Sequence, residues 1–143
     1  MTRRSSIELA GFSHVNPVPA GSRIGPFLFS GVLTGRDPHS GELPDSLEEQ
    51  VGHVFGHVAA LLAAAGGSVD DIVKMTFWVV RYRDREAINR SWIELFPDAS
   101  SRPARQVMAA QLDGGSLIQC DLVAVLAVPD SGTGAERGAV TDP

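Results

Sequence analysis

From Leu117 to Leu126 the chain alternates without interruption, and this pattern limits the fold more than any other feature. Ile118, Cys120, Leu122, Ala124 and Leu126 make one wholly apolar face, while Leu117, Gln119, Asp121, Val123 and Val125 make a mixed one. A strand of this kind must bury its apolar side against another layer. Asp71–Arg81 repeats the pattern: Val73, Met75, Phe77 and Val79 form an apolar face, with Lys74, Thr76 and Trp78 opposite. The second faces of both strands are too apolar for water and too polar for a core. Burial against other copies of the chain, with clefts between them, resolves that conflict.

Two helical segments supply the covering layer. Asp45-Ser46-Leu47-Glu48 resembles a capping box, followed by Val51, Val54, Phe55, Val58, Leu61 and Leu62 at helical spacing. Gly66-Gly67 ends this helix. Asp84 can cap a second helix with Ile88, Trp92, Leu95 and Phe96 as its stripe, stopped by Pro97. Pro26–Leu33 reads as an earlier strand, the Gly- and Pro-rich stretch 35–44 as turns, and 105–112 and 117–128 as the final strands. The order is strand or strands, helix, strand, helix, strand, strand. Two helices can cover only one face of a four- to six-stranded sheet, which predicts an α+β domain that associates through its open face. Residues 12–128 form the expected domain; 1–11 are an N-terminal strand or a loose segment, and the Gly-, Ser- and Thr-rich 129–143 a disordered tail.

Composition narrows the function classes. A length of 143 residues suits one domain with a real core, and the net charge of −5 argues against a nucleic-acid surface. Arg3 and Arg4 are too few to make a basic patch. No apolar run approaches a membrane span, and residues 1–20 hold no apolar signal core. The single cysteine, Cys120, excludes an internal disulfide and fits a reducing cytoplasm. It falls on the helix-facing side of its strand and reads as an inert buried thiol. His53 and His57, four apart, could share a metal, but no third ligand at suitable spacing accompanies them; an exposed helix side or a packed rim is the simpler reading, and no metal or cofactor is expected.

Arg105, in Arg102-Pro103-Ala104-Arg105, is the main candidate for chemistry. A guanidinium leading an apolar strand can grip a substrate carboxylate through two parallel hydrogen bonds. It could also be structural, paired with a carboxylate such as Asp121; in either case an anion must be near.

Several segments together resemble the Rid/YjgF family of reactive-intermediate deaminases, over about residues 12–128. They are Phe29-Ser30-Gly31, the turn Asp37-Pro38-His39-Ser40-Gly41-Glu42, Ala64-Ala65-Gly66, Asp70-Asp71-Ile72-Val73-Lys74-Met75-Thr76, Asn89 with Trp92, and Arg102-Pro103-Ala104-Arg105. The resemblance implies a chorismate-mutase-like sheet with two helices on one face, a homotrimer with three intersubunit clefts, and hydrolysis of enamine or imine acids to keto acids and ammonia. It implies that Arg105 binds the substrate carboxylate and that Ser30 and Gly31 line the same cleft. Three positions depart from the deaminating members: Gln119 replaces the glutamate that orients the attacking water, Val107 replaces a cysteine, and Pro17 falls where a tyrosine would be. The start His14-Val15-Asn16-Pro17 is similar to that of divergent members, some of which act on other amino-substituted acids such as aminomuconate.

An amide cannot serve as a general base, although Gln119 can hold a water, a substrate carbonyl or a structural partner. A proton shuttle would then fall to Asp121 or His14, unless a bound water and a polarised carboxylate suffice. Ser30 has no triad partners in sequence. Trp78 could wall a cleft, and Asn89 reads as a structural hydrogen-bonder. The expectation is a cofactor-independent deaminase of small carboxylates. The alternative is a carboxylate-metabolite binder, or a cyclisation or tautomerisation enzyme using the same clefts.

Overall fold

The computed structural model describes residues 3–9 and 16–127. Strands β1 (Arg4–Ile7), β2 (Gly21–Ile24), β3 (Phe27–Ser30) and β4 (Leu33–Thr34) precede helix α1 (Leu47–Ala64). Then follow β5 (Ile72–Val79), α2 (Arg85–Leu95), β6 (Ala104–Ala109) and β7 (Ile118–Val125). One sheet results, in the order β1-β2-β3-β7-β5-β6, with β4 also paired to β7. Among the described strands only β5 and β6 run parallel; the other pairings are antiparallel. The parallel pair follows from α2, because a helical crossover returns the chain in the same direction.

Both helices lie on one face, as the patterning requires. Val51, Val54, Phe55, Val58, Leu61 and Leu62 of α1, with Ile88 and Trp92 of α2, pack on Leu28, Leu33, Met75, Phe77, Ile118, Cys120, Leu122 and Ala124. Phe77 joins the layers: its ring lies 5.7 Å from Phe55 and 6.4 Å from Trp92. Each fully buried side chain of this size contributes about 1.5–3 kcal/mol, which fixes the register of β5 and β7.

Local details differ from the sequence expectation in instructive ways. The cap of α1 is Ser46, not Asp45, and its hydroxyl accepts from the Glu49 amide at 3.2 Å. Asp84 precedes α2 but caps nothing with its side chain, and instead lies 3.8 Å from Arg81. Val73 is 51% exposed, because a bulge between Ile72 and Lys74 gives its buried place to Ile72. Pro26–Leu33 is two strands broken at Gly31 and Val32, both paired with β7. The described sheet has seven strands where four to six were expected; β2, Gly-Ser-Arg-Ile, carries no apolar alternation by which to recognise it in the sequence. Gly66, at φ 82°, ends α1 in the left-handed region that favours glycine.

Among the described residues nothing covers the other face of the sheet. Phe27 and Phe29 are 52% and 55% exposed there, beside Ile24 and Val125. Ile24, Phe27 and Phe29, with Arg4, Ser22 and Arg23, line an open apolar concavity of about 500 Å³.

Candidate functional site

Arg105 owes its position to three local facts. Arg102 Nε donates to the Phe96 carbonyl at 2.8 Å, tying the end of α2 to the start of β6. Among the described strands β6 pairs only with β5, so it forms an edge of the described sheet. The register Met75↔Arg105 and Phe77↔Val107 turns both side chains toward the helices. At this edge the helical layer thins, and the Arg105 guanidinium rests on Trp92 with Cζ 5.1 Å from the ring centroid. A contact of this kind is worth about 0.5–2 kcal/mol, enough to orient the cation. Burial, and then the nearby Arg85, lower its hold on its proton. Among the described residues no carboxylate lies within ion-pair distance of Arg105; the charge pairs are His53–Asp37 and Arg81–Asp84.

Gln119 and Asp121 lie on the open face. Trp78 pairs with Gln119 and Thr76 with Asp121 across β5 and β7, and all four side chains are half-buried. Partial burial pushes the Asp121 carboxyl up, opposed by Lys74. Within one chain, then, Arg105 and Val107 stand on the helix side and Trp78, Gln119 and Asp121 on the other, with β5 between β6 and β7. The Arg105–Asp121 pair considered from sequence does not form.

Ser30 and Gly31 sit at the break between β3 and β4. The Ser30 hydroxyl donates to the Gly31 carbonyl at 2.7 Å and accepts from the Leu122 amide at 2.8 Å, which closes the gap in the sheet. From there to β6 the sheet must be crossed through β7 and β5, roughly 14 Å at the usual strand spacing. His14 lies outside the described residues, as does the expected tail 129–143. Asn89 is exposed, and among the described residues its side chain makes no hydrogen bond.

The histidine pair is not the exposed or rim pair expected. His57 is buried, its Nε2 2.8 Å from the Arg36 carbonyl oxygen, while His53 lies 3.9 Å from Asp37. Among the described residues no group of three or more His, Cys, Asp or Glu side chains could hold a metal ion. Cys120 is fully buried, and burial drives its thiol far above the normal range. Among the described residues no helix is long and apolar enough to cross a membrane.

Sequence reasoning missed Arg85, the first residue of α2. Its signal was its spacing: Arg85, Ile88 and Trp92 fall at i, i+3 and i+7 and so share one helical face.

Among the described residues, fold and site together define a class: an α+β domain of two helices on a sheet, with one sheet face uncovered and an arginine at its parallel edge that meets no carboxylate. The chain belongs to the Rid/YjgF family, whose sequence profile, described as Endoribonuclease L-PSP, matches residues 14–126. A RutC family protein of Aquifex aeolicus is 30% identical over 115 residues, covering 76% of this chain and 92% of the relative. The 2-iminobutanoate/2-iminopropanoate deaminase of Escherichia coli is 28% identical over 113 residues, covering 78% and 88%. Among solved structures, E. coli TdcF with bound serine matches with a TM-score of 0.78 at 25% identity, over 86% of this chain and 99% of that one.

Proposed function

We propose that this protein is a cofactor-independent deaminase of small enamine or imine carboxylates. The carrying observation is Arg105: a half-buried guanidinium, steered by Trp92, with no carboxylate partner among the described residues. The deaminase named among its relatives and the amino acid in the TdcF crystal support the same substrate class.

The site is built between copies of the chain. Arg105 and the Gln119–Asp121 face cannot meet within one subunit, and the exposed phenylalanines of that face call for a covering partner. A homotrimer brings the β6 edge of one copy to the open face of the next. Arg105 then clamps the carboxylate while Gln119, the backbone near Val107 and the neighbouring polar groups position water. The enamine takes a proton at its β-carbon to become the imine. Water adds to the imine carbon as the nitrogen is protonated, and ammonia leaves the resulting carbinolamine to give the keto acid. Asp121, its carboxyl raised by burial, is the described group able to carry a proton; Gln119 contributes hydrogen bonds only. The rate gain comes from orientation and hydrogen-bonded polarisation.

The test is keto-acid release from 2-aminoacrylate generated in situ, with light scattering to count subunits. Equal rates for wild type and Arg105→Ala remove the proposal. Gln119 favours a second reading, a binder or non-hydrolytic enzyme for carboxylated metabolites in the same cleft. Keto-acid binding by calorimetry, without turnover, selects it. The ribonuclease activity in the family's name calls for a cationic surface, which a net charge of −5 does not favour; salt-dependent RNA retention is its direct test.

A further inference from the structure

The seam that holds Arg105 also holds a second guanidinium. Arg85 opens α2 on the face that carries Ile88 and Trp92, and both of those are buried. Because Arg105 stacks on Trp92, that face looks toward the β6 edge. The single turn Tyr82–Asp84 leading into Arg85 packs against β6 as well. The Arg85 guanidinium lies over the Tyr82 ring, Cζ 4.3 Å from its centroid, and donates to the Tyr82 carbonyl at 3.1 Å. One such bond leaves most of the five donors of a guanidinium unused.

The neighbouring acids are not on Arg85: Asp84 lies against Arg81, and the exposed Glu86 borders a small cavity lined also by Glu48 and Arg90. Among the described residues neither Arg85 nor Arg105 has a carboxylate within ion-pair distance. Both lie along the face of α2 that meets β6, Arg105 on Trp92 and Arg85 two turns earlier in the helix, and after burial Arg85 also lowers the hold of Arg105 on its proton. Two neighbouring cations without a counter-charge repel each other, and an anion reaching both removes that repulsion. One carboxylate on Arg105 leaves Arg85 unanswered.

We propose that the cleft selects substrates with two acidic groups: the carboxylate beside the reacting carbon goes to Arg105, and a second carboxylate at the far end goes to Arg85. The preferred class is small amino- or imino-dicarboxylates. This rests on the deaminase reading for its chemistry, but not for its binding geometry. Tyr82 and Trp92 hold the two guanidinium planes before the ligand arrives, which reduces the entropy lost on binding.

The experiment compares imines formed in situ by oxidation of aspartate or glutamate with the imine of alanine. Wild type is expected to show kcat/KM at least tenfold higher for the dicarboxylates, since a charge-assisted contact of this kind is worth roughly tenfold to hundredfold. Arg85→Gln collapses that ratio toward one, Arg85→Lys keeps part of it, and Arg105→Ala lowers rates on both substrates. Circular dichroism confirms that each variant is folded. A ratio near one in wild type, or a ratio that Arg85→Gln leaves untouched, overturns the inference while the deaminase reading stands. If no imine is turned over, the deaminase reading fails by itself. Calorimetry then decides the inference: 2-oxoglutarate must bind more tightly than pyruvate and lose that advantage in Arg85→Gln, and equal affinities sink it.

Discussion

Two polar regions border the helical layer, one buried at the corner where α1 meets the β6–β7 connection, the other partly exposed at the seam where α2 meets β6. At the corner, Gln50 is fully buried and both ends of its amide are hydrogen-bonded. Nε2 donates to the Pro44 carbonyl at 2.8 Å and the Gly115 carbonyl at 3.0 Å, and Oε1 accepts from the Leu117 amide at 2.8 Å. Two turns further along α1, His57 holds the Arg36 carbonyl. At the seam, Arg105 and Arg85 lean on aromatic rings and meet no anion among the described residues. Buried polar groups normally find partners within the fold. A region that closes its own hydrogen bonds is holding the chain together; one that leaves charge open is shaped for something outside it.

The largest effect expected from this contrast is catalytic. Arg105→Ala should lower kcat/KM for 2-aminoacrylate about a hundredfold, the worth of a charge-assisted double contact. Its melting temperature should fall by no more than a few degrees, because the contact with Trp92 is lost but no ion pair is. A variant that unfolds at normal temperatures but retains its rate would reverse the roles assigned to the two regions.

Gln50→Leu should show the opposite pattern. The Leu117 amide and two carbonyls lose their partner, at a cost of about 2–3 kcal/mol in urea unfolding. Gly35 tightens the same corner: a Cβ there would lie 2.6 Å from Gln50 Cβ, so Gly35→Ala should also destabilise. Keto-acid affinity in the folded variants should stay near that of wild type. A loss of affinity without loss of stability would mean that the corner serves the cleft.

The sequence made this division only half legible. Strict alternation in β5 and β7 and the stripes of α1 and α2 sufficed for the layers, because apolar burial drives folding more than any other force and leaves a period in the chain. Arg105 was legible as a charge beside an apolar strand. Its side of the sheet was not, since that depends on the register of β6 against β5, which no local pattern encodes. Arg85 was hidden for a similar reason: among the four arginines of 81–90 only packing shows which one faces β6. Gln50 and His57 lay in an apolar stripe where polar residues look like solvent positions. Their partners, Gly115, Leu117 and Arg36, come from distant segments. The Val73 bulge is a further case, because a single extra residue shifts a face without changing the alternation on either side of it.

Smaller effects follow from titration. Burial lowers the pKa of His57, opposed by its bond to the Arg36 carbonyl, with His53 adding to the lowering. The folded value therefore lies below the unfolded 6.5. Stability is complete above that pH and erodes as pH falls through 6.5 toward the folded value, since the unfolded chain binds the proton first. The slope cannot exceed one proton, about 1.4 kcal/mol per pH unit. His57→Gln, which can still donate to Arg36, should flatten the decline in thermal melts between pH 7 and 5. An unchanged decline would move the titrating group elsewhere.

The weakest expected effect tests the open face. The Asp121 carboxyl is raised by partial burial, so the sign is the reverse of that for a salt-bridged aspartate. Its contribution is complete below the unfolded pKa and is lost as pH rises through the folded value, because the ionised form is held less comfortably in the fold than in the open chain. Asp121→Asn should therefore stabilise at pH 7 and do nothing near pH 3. The gain is on the order of a few tenths of a kcal/mol, since water and Lys74 still temper the charge. If copies of the chain cover this face, more water leaves Asp121 on assembly, and the gain should grow with protein concentration. Unfolding at two concentrations a hundredfold apart measures this directly. A gain independent of concentration would show that Asp121 stays as open in the assembled protein as in one subunit, and the cleft would have to be drawn without it.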